Sequence, residues 1–79
     1  MAIQTRVGEI FQEIFDDPAL RVTPETSPAD IADWDSVAQL KLVLAMDEAF
    51  GVQLAMEEAA SLSNVGDFLN ALRKHGVGD

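Results

Sequence analysis

The 79-residue sequence has no cysteine and a single histidine. No disulfide can staple the fold, and His75, with carboxylates scattered along the chain, does not make a metal site by spacing. Missing cysteine is compatible with a reducing compartment. Bases are scarce too: five Lys and Arg stand against 14 Asp and Glu, a net charge of −9. A field of that sign repels nucleic-acid phosphates and anionic membrane surfaces and favours basic protein surfaces. It also serves simply to keep a small chain soluble. No apolar run approaches the roughly 20 residues needed to span a bilayer. The start, MAIQTRVGEIFQEIF, carries glutamates and lacks the apolar centre of a signal peptide. These absences point to a cytoplasmic protein that works on or with other proteins.

What is present is apolar surface, 48% of the residues, which argues against a disordered acidic chain. The length allows one domain, residues 1–79, near the lower limit of independent folding. A core of this size supplies only about 3–5 kcal/mol net, so stability rests on efficient packing of helix faces. Ile3, Val7, Ile10 and Ile14 recur at helical spacing with Phe11 and Phe15 beside them. That predicts an amphipathic helix over about residues 2–16, ended at Asp17-Pro18 because proline disfavours helix at the residue before it. Residues 17–35 form a long connection containing all three prolines, pinned by Leu20, Val22, Ile31 and Trp34. Connections of about that length are usually functional or disordered. Within it, Ser27-Pro28-Ala29-Asp30 reads as a helical turn with serine as N-cap and proline at the first helical position.

The strongest helix runs from Ser36 to Phe50, capped by Asp35 or Ser36 and stopped by Gly51. It is apolar nearly all round, whereas a stripe of about 100° suffices to pack a core. Leu42, Met46 and Phe50 form one stripe, flanked by Leu40 and Val43. Val37 and Leu44 fall on another line, shared with Lys41 and Glu48. Either this helix is central and buried, or part of it meets other proteins. A short helix near 56–60 and a last one near 65–74, capped by Asn64 with Asp67 and ended by His75 and Gly76, complete an all-α four-helix bundle. Val52–Leu54 is the one stretch with an ambiguous strand pattern.

The chemistry expected of an enzyme is missing. No G-x-S-x-G elbow accompanies the lone histidine. The paired carboxylates Asp16-Asp17, Asp47-Glu48 and Glu57-Glu58 are sequence neighbours that do not face each other on a helix. DDPALRVTPETS lacks the glycine and oxygen spacing of a calcium loop, and no glycine-rich phosphate loop occurs. What remains is a serine at a helix start, a helix with surplus apolar residues, and an acidic surface. Serine there is commonly only a cap. Yet a hydroxyl at a helix N-terminus also sits in a partial positive charge suited to a phosphate.

Over essentially its whole length the chain resembles the acyl carrier protein family. The resemblance rests on Asp35-Ser36-Val37 opening the second helix, on Leu42–Val52 (LVLAMDEAFGV) closing it with the acidic pair Asp47-Glu48 before Phe50-Gly51, and on the helix order. It implies a small four-helix bundle with a long first loop and a short third helix. In such a protein Ser36 receives 4′-phosphopantetheine from coenzyme A through a magnesium-dependent phosphopantetheinyl transferase, and the thiol of that group carries acyl groups as thioesters. Asp35 then belongs to the transferase recognition motif as well as being a helix cap. Val37, Lys41, Leu44, Asp47 and Glu48 become partner-facing residues. Leu40, Val43, Ala59 and Leu62 become candidates for lining an acyl slot between the second and third helices, with ordinary core packing as the competing reading. Catalysis belongs to partners such as ligases, acyltransferases or ketosynthases; the chain is their non-catalytic, monomeric covalent substrate.

Two departures bear on pathway. Ala38 and Lys41 stand where carriers for fatty-acid synthesis usually have more acid, and like charges brought together at an interface can cost several kcal/mol. Trp34, two residues before the serine, looks more like discrete carriers of polyketide-type pathways, although anchoring the loop in the core explains it better. The start at Met1 and end at Asp79 suggest a free-standing protein. The competing readings are a peptidyl or aminoacyl carrier, including the D-alanyl type, against which the acidity argues mildly, and a helical interaction domain in which Ser36 is only a cap.

Overall fold

A computed structural model describes residues 3–78, which form four helices and no strand. Helix α1 spans Ile3–Ile14, α2 Ser36–Phe50, α3 Met56–Ser61 and α4 Val65–Lys74. The all-helical expectation and the element order therefore hold. Ala2, expected to start α1, lies outside the described residues.

The core forms where apolar stripes of α1, α2 and α4 meet. Ile3, Val7, Ile10 and Phe11 come from α1, Leu42, Val43 and Met46 from α2, and Val65, Phe68, Leu69 and Leu72 from α4. Each large side chain fully buried here contributes about 1.5–3 kcal/mol of transfer free energy. The long loop adds Trp34, which packs edge-on against Phe11 at a centroid distance of 5.2 Å and lies 6.3 Å from Phe68. Trp34 is thus a core residue, and it ties the end of the loop to both α1 and α4.

Three helices stop in the same way. Asp16, Gly51 and Gly76 have φ of 51°, 65° and 89°, and each turn lets the following N–H reach back into the helix. The Asp17, Val52 and Val77 N–H groups donate to the carbonyls of Gln12, Asp47 and Leu72 at 2.9, 3.1 and 3.0 Å. Glycine tolerates this left-handed conformation freely; aspartate adopts it more readily than most residues. α1 consequently ends two residues before the predicted boundary. The turn at Asp16 stops it before Pro18 acts. Ser27–Asp30 is also not the capped helical start expected. It is an isolated turn in which the Asp30 carboxylate accepts from the Ser27 N–H at 3.0 Å, and the Asp30 N–H donates to the Ser27 carbonyl at 2.8 Å. The side chain of Asp30, not that of Ser27, does the capping. Val52–Leu54 belongs to the irregular connection from α2 to α3 and forms no strand.

The loop docks on the N-terminus of α4 through backbone bonds. The Val65 N–H donates to the Thr26 carbonyl at 2.9 Å and the Gly66 N–H to the Pro24 carbonyl at 2.8 Å. Asn64 Oδ1 accepts from the Asp67 N–H at 2.8 Å, so the first three N–H groups of α4, otherwise without partners, are satisfied. Gly66 is required by this approach: a Cβ there would stand 2.9 Å from the Pro24 carbonyl oxygen. Gly66→Ala is expected to destabilise the fold by about 1–3 kcal/mol, as other forced overpacking does. Urea denaturation checks this, and an unchanged midpoint would contradict docking of the loop at this position.

Candidate functional site

The N-terminus of α2 is arranged differently from that of α4. Asp35 is the N-cap: its backbone is extended, its Oδ1 accepts from the Ala38 N–H at 2.9 Å, and its carbonyl accepts from the Gln39 N–H at 2.9 Å. Of the two candidate caps, Asp35 takes the role and Ser36 becomes the first helical residue. Ser36 is exposed, and among the described residues its hydroxyl has no hydrogen-bond partner. Nor does any described group accept from the N–H of Ser36 or Val37, the positions that the loop carbonyls occupy on α4. Two open N–H groups at a helix start, with the partial positive charge of the helix dipole behind them, suit a phosphate on an adjacent oxygen. A phosphodiester on Ser36 therefore fits this end of the helix.

The faces of α2 divide cleanly. Ala38, Leu42, Val43 and Met46 are buried, whereas Val37, Leu40 and Leu44 are exposed at 59%, 59% and 57%. Met56, at the start of α3, is 85% exposed. One face of the all-round apolar helix is thus buried in the core and the other is open to solvent. Leu40 sits one turn from Val37 and Leu44 on the outward face, apart from Val43, which is in the core. Ala59 and Leu62 are partly buried and pack against the core from α3 and its C-cap. Lys41 is exposed and forms no ion pair among the described residues. It borders a groove of about 360 Å³ whose other charged lining residues are Asp16, Asp33 and Asp35. Glu48 is exposed, while Asp47 is half-buried, and its Oδ1 accepts from the Leu54 N–H at 3.2 Å, closing the connection from α2 to α3. Ala38 is buried, so its departure from an acidic residue follows from core packing.

Two residues that sequence reasoning did not single out shape this region. Gln39 Oε1 accepts from the indole N–H of Trp34 at 2.8 Å, and its Nε2 donates to the carbonyls of Ala59 and Leu62 at 3.2 and 3.3 Å. The signal available was a lone amide in an otherwise apolar stretch, on the flank of the core stripe. Met56 is the other; a long apolar side chain opening a short, otherwise acidic helix was the clue to its exposure.

α3 is also tied to α4. Glu58 Oε1 lies 2.8 Å from His75 Nε2 and accepts from the Ala55 N–H at 3.2 Å. The hydrogen bond from His75, then that from Ala55, holds the Glu58 carboxyl below its ordinary value of 4.5, with smaller help from the charges of His75 and Lys74.

With this geometry in place, comparison with known proteins identifies the chain. Residues 5–72 match the family described as "Phosphopantetheine attachment site". The acyl carrier protein of Thermobifida fusca is 35% identical over 68 residues, covering 86% of each chain. That of Acidothermus cellulolyticus is 38% identical over 65 residues, covering 82% of this chain and 77% of its own. The solution structure of a holo acyl carrier protein from Geobacter metallireducens superposes with a TM-score of 0.85 at 32% identity, covering 95% of this chain and 86% of the other. The chain belongs to the acyl carrier protein family. Its prosthetic group is covalently attached 4′-phosphopantetheine, and its partners are a phosphopantetheinyl transferase and acyl-handling enzymes. No helix among the described residues is long and apolar enough to cross a membrane.

The Glu58–His75 pair generates a pH prediction. A carboxyl whose folded value is depressed adds stability that is fully present above its unfolded value, about 4.5. That stability is lost as the pH falls through the folded value. Denaturation midpoints between pH 6 and 3 are expected to fall more steeply for the wild type than for Glu58→Gln. Parallel profiles would contradict the coupling.

Proposed function

We propose that Ser36 is the residue that carries the phosphopantetheine. The observation that carries this reading is the division of labour at the start of α2, where Asp35 caps the helix and leaves the Ser36 hydroxyl exposed and unbonded. In the modification the Ser36 Oγ forms a bond to the pantetheine-side phosphorus of coenzyme A as the pyrophosphate P–O bond breaks. Adenosine 3′,5′-bisphosphate leaves, and the Oγ proton passes to a base of the transferase. The open N–H groups of Ser36 and Val37 offset the phosphodiester charge, and Asp35 fixes the helix end that presents them. When bound, the group supplies a thiol on a long flexible arm, on which acyl cargo is held as a thioester.

The protein catalyses nothing itself; it is a cytoplasmic, monomeric carrier whose single domain spans residues 1–79. Val37, Leu40 and Leu44 form the apolar part of a partner face, flanked by Lys41 and Glu48. Asp47 lends negative charge beside it while holding the turn to α3. Val43, Ala59 and Leu62 line the inner side, where cargo lies between α2 and α3. The pathway is a specialised, polyketide-type one. Support for it comes from Lys41, whose exposed and unpaired ammonium favours a partner with acidic groups facing the middle of α2.

Intact-mass spectrometry tests the attachment site. Incubation with coenzyme A, magnesium and a broad-specificity transferase is expected to add one phosphopantetheine to the wild type and none to Ser36→Ala. No addition to the wild type, or equal addition to the variant, would refute the assignment.

A further inference from the structure

Helix α3 is six residues long and buries none of its side chains. Apolar packing of α3 is limited to the partly buried Ala59 and, at its C-cap, Leu62, and beside it stands a polar attachment to α2. The attachment is Gln39. Its Nε2 donates to two carbonyls at the end of α3, those of Ala59 and Leu62, while its Oε1 takes the indole N–H of Trp34. Trp34 is 6% exposed, so if Gln39 leaves, its N–H loses its acceptor in largely buried surroundings. Buried donors left in this way are costly.

Position along the helix gives this amide its role. Residues 36, 39 and 43 recur at three and four residues and share one side of α2. Cargo running from Ser36 towards Val43 and Leu62 must pass Gln39. A saturated chain that wedges α3 away from α2 breaks both Nε2 bonds and returns at most one acceptor, its thioester carbonyl, for two donors. A chain with a further carbonyl or hydroxyl oxygen next to its thioester brings a second acceptor, so both Nε2 bonds can be replaced as the α3 carbonyls are released.

We propose that Gln39 is the specificity-determining latch of the slot between α2 and α3, closing it to saturated acyl chains and opening it to oxygenated ones. The cargo part of this proposal rests on the carrier reading above. The latch itself is a property of the unmodified chain.

Two variants and two measurements test it. Gln39→Met keeps the length of the side chain and removes all three bonds. Gln39→Glu keeps an acceptor for Trp34 and removes the donor to α3. In the unmodified protein, hydrogen exchange of α3 amides is expected to rise about tenfold in both variants, the effect of losing two ordinary hydrogen bonds. Amides of α1 and α4 keep their wild-type rates, which separates release of α3 from general unfolding. The Trp34 indole N–H exchanges faster in Gln39→Met only.

In the second measurement the protein is loaded with octanoyl or 3-oxooctanoyl phosphopantetheine, and the amide resonances of Val43, Ala59 and Leu62 are followed. In the wild type, 3-oxooctanoyl is expected to shift them and octanoyl to leave them in place; in Gln39→Met octanoyl shifts them too. Unchanged α3 exchange in both variants overturns the latch. Equal shifts by octanoyl in wild type and Gln39→Met overturn its role in specificity. Failure of the wild type to accept any phosphopantetheine overturns the carrier reading instead, and the exchange measurement then still decides the latch.

Discussion

The rest of the structure depends on the burial of Trp34. Its ring closes the centre of the core against Phe11 and Phe68, contacts of a kind worth about 0.5–1.5 kcal/mol each beyond the area they bury. Its indole N–H is satisfied by Gln39. The long loop is therefore pinned at its far end, one residue before the cap of α2. That placement fixes where α2 begins and which way its first turn faces. Asp35 and Ser36 follow directly, so the deepest anchor of the loop and the exposed hydroxyl at the helix start are two residues apart. A change that loosened Trp34 would act on the site through the backbone, without touching Ser36.

Helix ends do most of the remaining positioning. The N-terminus of α4 is filled by the carbonyls of Pro24 and Thr26 and by the Asn64 side chain, and it serves the fold. The N-terminus of α2 has its cap and its first two N–H groups open, and it is the end proposed to carry the prosthetic group. The chain has spent its loop on one helix start and left the other exposed. α3, lacking buried side chains, is held by Gln39 on one side and by the Glu58–His75 pair on the other. With only Ala59 and Leu62 packed against the core, its place depends largely on hydrogen bonds, and such elements open most readily.

Much of this was legible in the sequence because it is local. The extents of α2 and α4, the Asn64 cap and the glycine stops at Gly51 and Gly76 are each determined within a few residues. The end of α1 was misjudged because the stop uses a left-handed aspartate, Asp16, where composition pointed to Pro18. At Ser27–Asp30 the residue types were right and the direction of the bond was reversed. The two faces of α2 could not be assigned from its pattern, since apolar residues cover both; packing into the shared core decides that Val43 is inside and Leu40 outside. Gln39 was missed for a further reason. Its partners on α3 lie 20 and 23 residues away, and contacts of that range leave no periodic trace.

The central claim is that Ser36, freed from capping by Asp35, bears the prosthetic group at an open helix N-terminus. Phosphorus and amide NMR of the transferase-treated protein test it most directly. The expected result is a single phosphodiester resonance, with the largest amide shifts at Ser36 and Val37 and little change in α4. A spectrum without that resonance, or with its largest amide changes centred on another element, would contradict the claim.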